Sequence, residues 1–146
     1  MATQQAIPFE ILHLNDEGYH LKIMASINDV QLSLILDTGA SQTAFDTDYI
    51  RNHFEELSIT PGEQISAGLG TNTMESFECI VDTFKMGNLT LSDYKAALLD
   101  LSHVNSAYKK MNINPIHGVL GNDVLLKYEA LIDYKNKQVW LNNVEL

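Results

Sequence analysis

Apolar and polar residues alternate through the first third of the chain. Ile7, Phe9 and Ile11 recur at every second position. Tyr19, Leu21 and Ile23 do so again after the cluster Asn15-Asp16-Glu17-Gly18. A period of two places such side chains on one face of a β-strand, and the Asn/Asp/Gly cluster supplies turn chemistry between strands. Asn28-Asp29 marks a second turn. From Val30 to Leu36 the alternation gives way to a run rich in Leu and Ile, with Ser33 inside it. That pattern predicts a strand buried on both faces. It ends directly in Asp37-Thr38-Gly39.

Farther along, Asp46 or Thr47 is placed to cap a short helix over Tyr49 to Phe54. Pro61-Gly62 breaks the chain. Residues 63 to 76 carry Gly68-Leu69-Gly70 among small and polar neighbours, and alternation resumes through Phe77, Cys79 and Val81. The stretch reads as a hairpin with a glycine-bearing tip. Gly87-Asn88 predicts another hairpin, between Val81 to Phe84 and Leu89 to Leu91. After the apolar residues 96 to 101, Ser102 is placed to cap a helix through Met111 that Asn114-Pro115 ends. Val119-Leu120-Gly121 is a short apolar strand closed by glycine, and Asn122 or Asp123 is placed to cap a helical turn from Val124 to Lys127. A last hairpin joins Leu131–Tyr134 to Gln138–Leu141 around Lys135-Asn136-Lys137. The order strand, hairpin, apolar strand ending in glycine, short helix occurs around residues 19 to 54 and again around 78 to 127. One mostly-β domain spanning residues 1 to 146 is the expectation.

Composition narrows the function more than the fold. With 146 residues and a hydrophobic fraction of 45%, the chain can build a core of its own. Nine Lys and Arg against nineteen Asp and Glu give a net charge of -10. Phosphate neutralisation needs clustered cations, and Lys109-Lys110 is the only basic pair, so no nucleic-acid partner is expected. The longest apolar run is strand-sized, so no membrane span is expected. Cys79 is the single cysteine, which excludes an intrachain disulfide and suits a reducing compartment. Without a visible signal peptide, the expected location is cytoplasmic. The histidines, His13, His20, His53, His103 and His117, form no close metal-ligand pair, and no metal or other cofactor is expected. Trp140 is expected to pack in the core of the C-terminal strand.

The candidate chemistry lies at Asp37. A carboxylate directly after a buried strand is held at a fixed position by the sheet yet exposed at a loop. Gly39 permits a tight turn and lets its N–H approach the carboxylate, and Thr38 offers a hydroxyl. The plainer reading of the tripeptide is simply a turn. Two features raise the catalytic one: the wider context Leu34-Ile35-Leu36-Asp37-Thr38-Gly39-Ala40-Ser41, and the element Val119-Leu120-Gly121 downstream, leading into a helical turn.

These features resemble the retropepsin-like aspartic peptidases, in their single-domain bacterial or cellular form, over residues 18 to 141. The resemblance implies an all-β, closed-barrel acid-protease fold with short helices, one lobe per chain. It implies Asp37 as the catalytic residue, with Thr38, Gly39, Ala40 and Ser41 supporting its loop. Val119, Leu120 and Gly121 would pack behind that loop, and Gly68, Leu69 and Gly70 would form a flap over an extended peptide or protein substrate. Since the chain holds one copy of the motif, the resemblance implies a homodimer with one Asp37 from each subunit. Asp82-Thr83-Phe84, the nearest second candidate, lacks the glycine.

Three departures from the viral pattern stand out. Asn122-Asp123 follows Gly121 where Arg then Asp or Asn is usual. The segment Leu101 to Pro115 is an apparent insertion. The flap region has no clear aromatic residue. Two other readings of the chain stand beside the peptidase: a peptide- or protein-binding module on the same fold, and an unrelated β-barrel hydrolase or carrier in which Asp37 is a turn residue.

Overall fold

Turn residues and apolar alternation divide the described residues, 3–62, 65–66, 73–74 and 76–143 of a computed structural model, into many short strands and three short α-helices. In chain order these are β1 (Thr3–Pro8), β2 (Glu10–His13), β3 (Tyr19–Ile27), β4 (Val30–Leu36), β5 (Ala44–Asp46) and α1 (Thr47–His53). There follow β6 (Thr60–Pro61), β7 (Ile65–Ser66), β8 (Thr73–Met74), β9 (Phe77–Met86), β10 (Leu89–Leu99) and α2 (Ser102–Lys110). The chain ends in β11 (Gly118–Leu120), α3 (Asn122–Lys127), β12 (Leu131–Asp133) and β13 (Gln138–Asn143).

Strands β3, β4, β11, β5, β10 and β9 pair in that order, and β9 returns to β3 through Ser26–Lys85 and Ile27–Phe84. The result is a six-stranded closed barrel, an arrangement that leaves these strands no free edge. β2 and β6 extend it on either side, and β1, β13 and β12 form a separate three-stranded sheet. Two hairpins, β3–β4 and β9–β10, each run their second strand parallel to a short strand from the other half. β4 lies along β11, and β10 along β5. The likeness of order between residues 19–54 and 78–127 therefore has a spatial counterpart. It also lays the ends of β4 and β11 side by side.

The barrel interior is filled by Ile23, Ile27, Leu32, Leu34, Phe45, Phe84, Leu98 and Leu120, all essentially inaccessible to solvent. A second cluster, Leu12, Leu14, Ile35, Leu101, Tyr108 and Ile116, packs on the opposite side of β4. Leu34 and Leu36 thus enter the barrel while Ile35 enters the second cluster, which is why the alternation is lost along this strand. Ser33 is tolerated between them because its hydroxyl donates to the Pro115 carbonyl at 3.3 Å. The segment 101–115 is placed by the same packing. Helix α2 covers the outer side of β2 and β4, with Tyr108 buried and its hydroxyl bonded to the His20 ring.

Several local expectations need correction. The alternating run Ile7-Phe9-Ile11 is two strands in different sheets, joined at Phe9, whose N–H donates to the Lys137 carbonyl at 3.0 Å. α1 begins at Thr47 with Asp46 as its cap and ends at His53, a residue short of the expected Phe54. Ser102 does not cap α2. Asp100 instead accepts from the Ser102 N–H at 2.9 Å, and Asp46 accepts from that of Leu101 at 3.0 Å. The helix stops before Pro115 because Asn112 turns left-handed at φ 58° and the Ile113 N–H returns to the Tyr108 carbonyl. Trp140 is half-buried and lies outside the core. Val139 and Leu141 on the same strand point inward, so the alternation sends Trp140 to the other face.

Candidate active site

Asp37 follows the last residue of β4, and its position is inherited from that strand. The Leu36 side chain is held in the barrel, and the Asp37 N–H donates to the Leu120 carbonyl of parallel β11 at 3.0 Å. The chain then turns sharply, with the Ala40 N–H returning to the Asp37 carbonyl at 3.1 Å. Inside this turn the Gly39 N–H donates to Asp37 Oδ1 at 2.9 Å. A Cβ added at Gly39 would lie 3.2 Å from that oxygen, so glycine lets the backbone approach the carboxylate closely. The carboxylate is half-buried, and Thr38 and Gly39 beside it are exposed.

The segment behind the turn grips it at several points. The Asn122 N–H donates to the Ala40 carbonyl at 2.9 Å, and its side-chain amide donates to the Thr38 carbonyl at 2.7 Å. Asp123 Oδ1 accepts from both the N–H and the hydroxyl of Thr43, each at 2.8 Å. The Thr43 hydroxyl accepts in turn from the Gly121 N–H at 2.9 Å. Asp123 Oδ2 accepts from the Tyr94 hydroxyl at 2.7 Å, and burial, followed by this bond and charge, raises the Tyr94 pKa strongly. Tyr94 therefore stays a neutral donor. Gly121 has no room for a side chain: an added Cβ would come within 2.6 Å of the Gln42 backbone. Residues 120–123 and 37–43 form one interlocked unit.

Asp37, Thr38, Gly39 and Ala40 are thus brought together with Leu120 and Gly121. Val119 pairs with Ile35 and Ala44, one step removed from the loop. Ser41 is exposed and makes no hydrogen bond to Asp37. The atom of Thr38 engaged within the chain is its carbonyl, not its hydroxyl. Gly68, Leu69 and Gly70 lie outside the described residues. The backbone pairs Ile65–Met74 and Ser66–Thr73 precede and follow them, and Thr60–Glu78 and Pro61–Phe77 pair nearer the barrel. A cleft of about 500 Å³ opens beside the loop, between Gln42 and Thr43 on one side and Gly62, Phe77 and Lys95 on the other. Among the described residues no group of three or more His, Cys, Asp or Glu is placed to hold a metal ion, and no helix is long and apolar enough to cross a membrane.

The residues that sequence reasoning assigned to another task are Asn122 and Asp123. As Asn and Asp before an apolar turn they look like helix caps, yet Gly121 occupies the cap position and makes no side-chain bond there. Their side chains serve the loop instead. Thr43 carried no signal at all, because its partners are far away in sequence.

The profile of the aspartyl protease family matches residues 23–124. A retropepsin-like aspartic protease from Rickettsia conorii is similar in structure, with a TM-score of 0.55 at 18% identity, over 97% of this chain and 92% of the other. The EIAV protease, solved in complex with the inhibitor HBY-793, superposes with a TM-score of 0.57 at 22% identity, over 84% and 99%. The retroviral protease-like domain of Ddi1 from Leishmania major gives 0.54 at 14% identity, over 86% and 90%. At these identities the likeness establishes a retropepsin-like fold. No curated protein matches the chain by sequence.

Proposed function

The chain belongs to the aspartyl protease family, and from that premise we propose that it is a homodimeric endopeptidase whose two Asp37 carboxyls share one site. The observation that carries this reading is the setting of Asp37. A half-exposed carboxylate, fixed by a buried strand and by the Gly39 N–H, occurs in a chain with one such motif. A second copy of the chain supplies the second carboxylate. The proposed partners are therefore that second copy and a peptide or protein substrate in extended conformation.

Two carboxyls held close together do not both ionise, so they share a proton and supply a base and an acid at once. The ionised carboxylate takes a proton from water as the water oxygen attacks the scissile carbonyl carbon. The protonated carboxyl gives its proton to the carbonyl oxygen. Collapse of the resulting diol breaks the C–N bond, with a proton delivered to the leaving nitrogen. Thr38 and Gly39 hold the loop on each side of the two-fold, and Ala40 and Ser41 continue it. With one buried thiol and no disulfide to maintain, a reducing compartment such as the cytoplasm suits the chain.

The test is Asp37→Asn, which keeps the side chain's size and removes its ability to act as a base. Expected is loss of peptide cleavage by at least about a thousandfold, with an unchanged melting temperature and an unchanged dimer mass. Cleavage at the wild-type rate by this variant ends the proposal. A strict monomer at working concentrations overturns the shared site and favours the binding module on the same fold.

A further inference from the structure

The peptide unit between Thr38 and Gly39 is engaged at both ends. Its N–H donates to Asp37 Oδ1 at 2.9 Å, and its carbonyl accepts from the Asn122 side-chain nitrogen at 2.7 Å. The Thr38 oxygen can only accept, so the nitrogen of the Asn122 amide, not its oxygen, faces it. We propose that Asn122 is a positioning residue for Asp37, acting through this single peptide plane. The inference deepens the peptidase reading and rests on it for its effect on catalysis.

Two physical consequences follow from gripping that carbonyl. The plane loses its freedom to rotate about its flanking bonds, which are otherwise soft in an exposed turn carrying a glycine. The N–H therefore stays aimed at the carboxylate oxygen. A hydrogen bond accepted at the carbonyl also polarises the amide, so its N–H becomes a stronger donor at the other end. The Asn122 donor is itself fixed. Its backbone N–H is bonded to Ala40, it opens α3 immediately after the sterically locked Gly121, and its neighbour Asp123 is tied to Thr43 and Tyr94. An arginine here would carry its donors farther from the backbone. The short asparagine keeps the grip within its own chain, so each subunit brings a loop already assembled to the dimer.

The experiment compares the full-length protein with Asn122→Ala and with Asn122→Asp, which keeps the size but, when ionised, presents acceptors only. The direct readout is the Gly39 backbone amide by NMR. It should move upfield and exchange with solvent at least about tenfold faster in both variants, while the melting temperature changes little. In turnover, kcat should fall about tenfold to a hundredfold with KM within about twofold, the mark of a misplaced reacting group. An unchanged Gly39 resonance and exchange rate in both variants overturns the proposal, as does an unchanged kcat in a wild-type enzyme that turns over. If the wild type cleaves nothing, the peptidase reading falls, and the Gly39 signal alone decides whether Asn122 holds the plane.

Discussion

At the scale of single residues, His117 shows what a histidine does when it is neither a ligand nor a surface group. Its Nδ1 accepts the Ser33 N–H at 3.0 Å, its ring stacks on Tyr49 at 4.0 Å, and Tyr49 stacks on His53 at 4.1 Å. A proton on Nδ1 would face a backbone donor, so the geometry requires the neutral ring. Burial and then His53 push its pKa down, Asp46 opposes them, and Lys22 adds a smaller push in the same direction. The sign of the linkage is that of a depressed group. The unfolded chain takes up the proton first as the pH falls below about 6.5, so this stabilisation is complete above that value and lost as the pH drops through the folded value. His117→Asn should lower stability at pH 7 and flatten its decline between pH 7 and 5, measured by urea unfolding. Parallel curves for wild type and variant would refute this. The sequence holds five histidines, but nothing there distinguishes this half-buried acceptor from the rest, because its donor, Ser33 on β4, is far away in the chain. The same holds for Asn122 and Asp123, which the sequence presents as helix caps because their loop partners lie on another element.

At the scale of elements, legibility follows the range of the forces. The hairpins β3–β4 and β9–β10 and the double burial of β4 were readable, because alternation, turn residues and apolar runs are written locally. Helix starts are less legible: Asp46 does cap α1, but Ser102 and Asn122 lose their expected tasks to Asp100, Asp46 and Gly121. The two-layer burial of β4 depends on α2, whose docking by Tyr108 and Leu101 has no local signature. The contact between β11 and the loop yields a sharp prediction. Thr43→Val keeps the shape of a residue that is 1% exposed but removes its hydroxyl. The buried Gly121 N–H then loses its acceptor and Asp123 loses one donor. Stability should fall by about 1–3 kcal/mol. Thr43→Ser, which keeps the hydroxyl, should recover most of the hydrogen-bonding part. Denaturant unfolding separates the two, and a Thr43→Val variant as stable as wild type beside a destabilised Thr43→Ser would show that the methyl group, not the hydroxyl, matters here.

At the scale of the whole molecule, the proposed sharing of one site by two Asp37 carboxyls would make association part of the chemistry, and that has a consequence measurable without a structure of the dimer. On that proposal specific activity should fall on dilution, because a monomer would carry half a site. A net charge of -10 on each chain opposes pairing, so added salt should shift the loss of activity to lower protein concentration. Mixing gives the sharper discrimination. If wild type is allowed to exchange subunits with an equal amount of the Asp37→Asn variant, pairing at random leaves about half of the wild-type subunits with an active partner. Activity should therefore fall to about half that of the same quantity of wild type alone, and continue downward as more variant is added. A self-sufficient subunit predicts no change on adding the variant. A dimer in which each Asp37 works separately also predicts no change, although its mass would be that of a dimer. The curve of activity against added variant thus tests the sharing of one site between two chains, which neither the motif nor the oligomeric mass can test alone.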